Sequence, residues 1–304
     1  MLKIDNLIDD AKCYESVRQM RWLEGVKCVW CNSQAVIKRG RDERQHERQR
    51  YHCKACTSDF DDLTDTIFAH HHQPLRKWIL CLYLMGLNLS NEQIAQELDL
   101  DKDDVQQMTR QLREGIVERK PEPSLQGVVE CDEVYLVAGH KGHPAAVQKR
   151  APRPPPPIKG CTRAKEKPPI IGMVERRGQV VIRMLPDVKQ QTIKLLITQT
   201  IAPGSTLMTD EYDIYARLME WGYQHQTVCH GKGEFARDDD GDGLCEVHVN
   251  TIEGFWSLLR SWLRPHRGIS QELLPLYLGF FEYIHNVRKR GKALLGSLLA
   301  LLLN

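Results

Sequence analysis

No apolar run in this sequence is long enough to cross a bilayer: the longest, Ala293–Leu303, falls well short of the roughly 20 residues a spanning helix needs. It reads as the end of a packing helix or as a tail. A secretory leader is missing as well, since MLKIDNLIDDAKCYESVRQM places acids where the apolar segment of a signal peptide belongs. These two absences predict a cytoplasmic protein with no membrane partner. Nor is there an excess of charge of one sign, because 42 basic and 40 acidic residues leave a net +2.

Cysteine, by contrast, is not scarce. Ten of them in a reducing compartment read as thiols and metal ligands, not as a disulfide framework. Charge is unevenly spread: Lys38–Lys54 is rich in Arg and Lys, and Lys141–Lys167 carries eight basic residues against one acid. Each stretch is either solvated surface or part of the electrostatic footprint of a phosphate-backbone partner. At 304 residues the chain can bury a substantial core and has room for more than one domain.

Residues 1–21 have the pattern of a short amphipathic helix, with Leu7, Val17 and Met20 apolar among polar neighbours. Over 22–63, Cys28-x2-Cys31 and Cys53-x2-Cys56 are separated by twenty-one residues. Two such knuckles offer four thiolates to a tetrahedral structural zinc in a ribbon of short hairpins. The segment between them is basic, and Arg39, Arg41, Arg48 and Arg50 beside Tyr51 suit contact with nucleic acid, a solvated ribbon edge being the competing reading. Over 64–120 the periodicity turns helical. Leu75, Trp78, Ile79, Leu82 and Tyr83 form an apolar stripe ended by Gly86, and Ser90 with Gln93 makes a capping box opening NEQIAQEL. The turn DLDKD leads into VQQMTRQLREGI. Helix, tight turn and helix resemble a helix-turn-helix whose second helix, bearing Arg110, would enter a major groove; plain helical packing is the alternative.

PEPS, residues 121–124, reads as a linker into a third region, 121–292. Its pattern predicts strands at Val128–Val137, Ile170–Glu175, Val180–Leu185, Ser205–Thr209 and Gln226–Cys229, with helices at Val188–Thr200, Ile214–Trp221 and Asn250–Leu263. That alternation predicts an α/β domain with a mixed sheet. The proline-rich basic stretch between the first two strands reads as an extended loop tracking DNA through Lys141, Lys149, Arg150 and Lys159, or as a plain loop. Residues 293–304 are left as a C-terminal tail.

Three acids stand out. Asp132 lies in the Val-rich strand VVECDEVYL, where a buried carboxylate needs a pair or a metal; Asp210 follows the apolar STLMT; Glu253 opens the helix NTIEGFWSLLR. Brought together, they would form an all-oxygen cage for magnesium or manganese, with Asp132 as the bridge and Asp210 and Glu253 each completing one metal. Arg260 lies seven residues beyond Glu253, about two helical turns and roughly 10 Å along the same face, where its planar fork could meet a phosphate. The run DDDGDG places Asp238, Asp240, Asp242 and Gly243 as in a calcium loop, but position twelve is Val249, so it reads as a solvated loop. Phe255, Trp256 and Trp262 read as core-facing.

The zinc ribbon, the helix-turn-helix, VECDEVYL, LMTDEYDIY and HVNTIEGFWSLLR together resemble the zinc-ribbon (ISXO-type) group of bacterial insertion-sequence transposases. The likeness runs from about Trp22 to Arg290 and includes AGHKGH, IIGMVERRGQV and EYIHNVRKR. It implies the DDE superfamily with a ribonuclease H-like catalytic fold, in which Asp132 and Asp210 are the first two metal ligands. Members are variously read with Asn, His or Glu in the third place, so Asn250 and Glu253 both stand as candidates, Glu253 preferred as the harder ligand. Arg260 occupies a place where Lys is usual. His230 also matches a family histidine, with DNA contact or proton transfer as its implied role and a plain loop histidine as the alternative; for His248 the plain reading leads.

The expected protein is a metal-dependent DNA transposase that binds inverted-repeat ends, cleaves a strand and transfers it to target DNA, as a dimer or higher assembly on double-stranded DNA in the bacterial nucleoid. Two rivals use the same parts: a domesticated, non-catalytic DNA-binding regulator, and a ribonuclease H-like nuclease or resolvase that hydrolyses without joining.

Overall fold

The computed structural model describes residues 9–138, 167–228, 236–237 and 247–303. They divide into two compact units, one within Met1–Lys120 and Val287–Asn304, the other within Pro121–Asn286.

The first unit opens with α1 (Asp10–Arg21), capped by the Asp9 carboxylate on the Ala11 amide. A three-stranded antiparallel ribbon follows: β1 (Val36–Arg41), β2 (Gln49–Cys53) and β3 (Asp59–Asp61). Its small core is Cys28, Tyr51, Cys53 and Phe60, with Trp22, Val26 and Val36 against it. Tyr51, expected at a nucleic-acid surface, is instead buried: it stacks on Phe60 at 5.3 Å and donates to Asp62 at 3.1 Å, because alternation along β2 turns it inward. The fully buried Asp62 also accepts from Arg18 Nη1 and from the Gln49 amide, both at 2.7 Å, so one carboxylate ties α1 to the ribbon.

Helices α2 (Leu75–Gly86), α3 (Asn91–Leu98) and α4 (Lys102–Arg119) complete the unit with α8 (Gly291–Leu303). The Ser90–Gln93 capping box forms, and Asp99 turns the chain between α3 and α4 in the left-handed region at φ 52°. The apolar stripe expected on α2 is wider, since Leu80, Cys81, Leu84 and Met85 are buried too. The cause is position: α1, α3, α4 and α8 all pack against α2. Of the two readings of the run Ala293–Leu303, the packing helix holds and the tail assigned to 293–304 does not. That segment lies in α8, whose Leu294, Leu298, Leu299, Leu302 and Leu303 are buried at helical spacing, giving the run a hydrophobic reason to fold.

The second unit is a five-stranded mixed sheet of β4 (Val128–Tyr135), β5 (Pro169–Glu175), β6 (Val180–Met184), β7 (Thr206–Thr209) and β8 (Gln224–Thr227), in the order β6-β5-β4-β7-β8. β4 runs antiparallel to β5 and parallel to β7. On one face, Val129, Cys131, Ile171, Met173, Val181 and Leu207 pack with Ile193 and Ile197 of α5 (Gln190–Thr200). The short pair β9 (Ala236–Arg237) and β10 (Val247–His248) precedes α6 (Asn250–Leu263), which lies against β4 and β5. Phe255, Trp256 and Trp262 of α6 are buried as expected, and Ile252 and Leu259 join them at helical spacing. α7 (Leu274–Val287) covers the edge strand β6: Asn286 bonds both the amide and the carbonyl of Val180, and Glu282 accepts from the Ile182 amide at 2.7 Å. The helix expected at Ile214–Trp221 is instead two short 3-10 turns, Asp213–Tyr215 and Met219–Trp221, ended by Gly222 at φ 92°. Ile214, Tyr215 and Leu218 of this segment join the core all the same.

Candidate active site and nucleic-acid interface

Two parallel neighbours bring the aspartates to one end of the sheet. β4 and β7 pair through Val128–Thr206, Val129–Leu207 and Glu130–Met208, so Asp132 on β4 and Asp210, one residue past β7, leave the paired region side by side. Glu253 comes from the first turn of α6. Asp132 Oδ2 accepts from Trp256 Nε1 at 2.8 Å, which fixes the carboxylate against that helix. Burial raises the Asp132 carboxyl above the usual aspartate range; the Asp210 and Glu253 carboxylates push the same way, while the Trp256 donor opposes them. The charges of Asp210 and Glu253 therefore both act on Asp132 at this end of the sheet. They are not closed to chelating distance: among the described residues, the group with ligand atoms all within 4.8 Å of one another is the four cysteines.

Trp256 fits because Gly172 faces Asp132 across the β4–β5 ladder. An added Cβ at Gly172 would lie 2.5 Å from Trp256 Cη2. Gly172→Ala is thus expected to cost about 1–3 kcal/mol by overpacking and to push Trp256 off Asp132. Adding Trp256→Phe, which removes the clashing ring, should make the double variant more stable than the glycine replacement alone in denaturant unfolding.

On the other face, Glu133 accepts from the hydroxyl of the fully buried Tyr215. Burial pushes its carboxyl up to about 7, with Asp132 and Asp210 adding and the Tyr215 donor opposing. The folded state then keeps a proton between about pH 4.5 and 7 that the unfolded chain has released, so stability falls as pH rises through that window and is flat above it. Glu133→Gln, which keeps an acceptor for Tyr215, is expected to flatten this slope in thermal melts recorded without metal from pH 4 to 8.

The other candidate residues are placed as follows. Asn250, Glu253 and Arg260 are exposed on α6. The Asn250 amide donates to His248 Nδ1 at 3.3 Å, and of the two candidates for third ligand it is Glu253 whose charge acts on Asp132. Sequence reasoning missed Glu130, a fully buried acid that bonds Arg176 Nε at 2.7 Å and the Ile252 amide at 2.9 Å. The signal available was its spacing: two residues before Asp132 on a strand means the same face.

The four cysteine sulfurs form the second cluster. Cys28 and Cys56, and likewise Cys31 and Cys53, are 3.6 Å apart, close to the edge of about 3.8 Å expected for a tetrahedron of thiolates with Zn–S bonds near 2.3 Å. The donor set could hold a metal ion.

Residues 124–286, more than half of the chain, match the model of the ISXO2-like transposase domain. The chain belongs to that family. A relative from Halobacterium salinarum, named an uncharacterized protein in transposable element ISH50, is 33% identical over 303 residues, spanning 98% of this chain and 99% of its own. The crystal structure of a pre-cleavage Mos1 transpososome aligns with 77% of this chain and 78% of its own at 11% identity, with a TM-score of 0.28. The Mos1 Strand Transfer Complex aligns over 71% and 78% at 12% identity with a TM-score of 0.22. Likenesses this slight carry no argument about the transposase.

The basic candidates of the transposase fall into three groups. Arg39 pairs with Asp59 at 2.6 Å and Arg41 with Glu47 at 2.9 Å, both on the surface, and Arg50 is exposed. Exposed pairs of this kind are worth about 0–1 kcal/mol, so a phosphate can replace the carboxylate at little cost. Arg48 differs: only 13% of its side chain is exposed, and Asp61 holds it at 2.7 Å, which removes it from the available surface. Arg110 lies on the exposed face of α4, bonded to Glu114 at 2.7 Å. The N-terminal end of α4, the helix expected to enter a groove, exposes Asp101, Asp103 and Asp104, which repel phosphate. Lys141, Lys149, Arg150, Lys159 and His230 lie outside the described residues, as does the acid-rich stretch from Asp238 to Gly243. Among the described residues, no helix is long and apolar enough to cross a membrane.

Proposed function

We propose that this transposase binds the inverted-repeat ends of its element, cleaves a strand there and joins the new 3′ hydroxyl to target DNA, using divalent metal held by Asp132, Asp210 and Glu253. The observation that carries the reading is the placing of Asp132 on β4 and Asp210 one residue past its parallel neighbour β7, with Asp210 and the helical Glu253 both acting electrostatically on Asp132, in a chain of this family. Carboxylates brought from three elements to one end of the sheet suit a hard cation, and their all-oxygen donor set fits magnesium or manganese better than a softer metal. Bound there, the metal would supply Lewis acidity and charge neutralisation to the reacting phosphate. The chain's own residues orient and clamp: Trp256 aims the Asp132 carboxylate, and Arg260, two turns along α6 from Glu253, offers a guanidinium to the neighbouring phosphate. The sheet order, with a central strand antiparallel on one side and parallel on the other, supports a ribonuclease H-like core.

In the first unit the four thiolates would hold zinc and rigidify a ribbon whose exposed Arg39, Arg41 and Arg50 meet the DNA backbone. The acidic first turn of α4 argues for α3 and α4 as support to that contact, with Arg110 at its margin. Two ends must be held together, so a dimer on DNA is part of the reading. The test is a labelled inverted-repeat end incubated with the protein, magnesium and a target duplex. Joined products establish a transposase acting as proposed; cleavage without joining would leave a nuclease, and binding without cleavage a regulator.

A further inference from the structure

Glu130 has no solvent exposure, although it carries a charge that burial penalises. Its two oxygens are separately engaged. Oε1 accepts from Arg176 Nε at 2.7 Å, and Oε2 accepts from the Ile252 amide at 2.9 Å. Ile252 is the third residue of α6, where an unpaired helix donor is normally met by the side chain of the N-cap. Here the N-cap is Val249, which has no side-chain acceptor. The cap therefore comes from a strand far away in sequence, and a carboxylate is also the group that the positive end of a helix favours.

Arg176 extends the same grip. Its amide donates to the Val128 carbonyl at 3.0 Å, anchoring it beside β4, and its Nη2 donates to the His248 carbonyl at 2.9 Å, just ahead of α6. His248 Nδ1 lies 3.4 Å from Glu130 Oε1. Burial and Arg176 both lower the pKa of His248, which favours a neutral ring whose Nδ1 accepts from the Asn250 amide, so we read this closeness as packing and not as an ion pair.

We infer that Glu130, supported by Arg176, is a positioning residue of the active site: a buried carboxylate on the strand of Asp132 that caps the helix of Glu253 and so sets the spacing between the two acids. Glu130 and Asp132 share a face of β4 two residues apart, and Glu253 directly follows the amide that Glu130 holds. A local Ser or Asp at position 249 would cap α6 equally well, but it would not link the helix to the strand. The inference rests on the reading of Asp132 and Glu253 as metal-holding acids.

The test compares full-length wild type with Glu130→Ala, Glu130→Gln, Arg176→Gln and Glu253→Gln by two measurements. Hydrogen exchange without metal follows the amides of residues 250–256, and single-turnover cleavage of a labelled end is titrated with manganese. For Glu130→Ala, faster exchange confined to 250–256 is expected, with a manganese requirement raised about 10–100-fold, the range seen when partners of metal ligands are lost, and an unchanged Kd for the DNA end. Glu130→Gln, which keeps an oxygen for the Ile252 amide, should recover part of both. Wild-type exchange and a wild-type manganese requirement in folded Glu130→Ala would overturn the inference. If that variant does not fold, the same wild-type behaviour in Arg176→Gln overturns it instead. Full cleavage by Glu253→Gln would refute the assignment of the site itself, while the exchange data would still decide whether Glu130 holds α6.

Discussion

Asp132→Asn is expected to lower metal-dependent cleavage of a labelled element end roughly 10⁴-fold, the scale on which one member of a catalytic unit is lost, with end affinity unchanged. The change is nearly isosteric, and Asn retains an oxygen for Trp256 Nε1, so the packing of α6 on the sheet persists. What disappears is a charge that burial and two neighbouring carboxylates disfavour. Because the folded carboxyl is raised, the native state holds its proton at a pH where the unfolded chain has released it, and stability falls as pH climbs through the carboxylate range. In chelator at pH 7 the Asn variant should therefore melt above wild type, and this advantage should vanish below the range in which unfolded aspartates ionise. Loss of activity with gain of stability is the signature of a charged site kept for chemistry. Retained cleavage by this variant, measured on a denaturing gel, would remove Asp132 from the site.

If the four thiols hold zinc as proposed, its removal should have the larger structural effect. The ribbon's own core is four residues with a rim of partly buried neighbours, too little apolar surface to hold three short strands alone. Structural zinc in comparable small folds contributes an apparent ~10–16 kcal/mol at neutral pH. Cys31→Ser, at the exposed corner of the cluster, is expected to abolish stoichiometric zinc and to collapse the near-ultraviolet circular dichroism of the Trp22–Tyr51–Phe60 stack. End binding should fall with it, since Arg39, Arg41 and Arg50 lose their frame. The damage should reach α1, whose Arg18 and Arg21 are tied to Asp62. A variant without zinc but with an intact dichroism band would show that the four thiols do not need a metal to hold the ribbon.

Much of this architecture follows from local chemistry that is written in the sequence. Paired Cys-x2-Cys spacing foretold that four sulfurs would meet, the Ser90–Gln93 pair foretold the start of α3, and Phe255, Trp256 and Trp262, read as core-facing, foretold which side of α6 is buried. Each carries its signal in a motif of a few residues, so a one-dimensional reading suffices. Where the reading fell short, contacts that no local motif announces had intervened. Tyr51 looked like a surface aromatic among arginines until Phe60 and Asp62 enclosed it, and for Ala293–Leu303 the choice between packing helix and tail stayed open because the helices that cover it lie some two hundred residues earlier.

The sequence alone therefore supplied the residue types that the proposed chemistry uses: hard oxygen donors at Asp132, Asp210 and Glu253, and soft sulfur donors in the ribbon. Only the tertiary structure decided how they are aimed. The order of strands set Asp210 beside Asp132, the missing side chain at Gly172 let Trp256 reach the first aspartate, and Glu130 reached across to hold the start of α6. The reason is that side-chain identity is local, whereas the distance between two carboxylates depends on every packed layer that separates the elements bearing them.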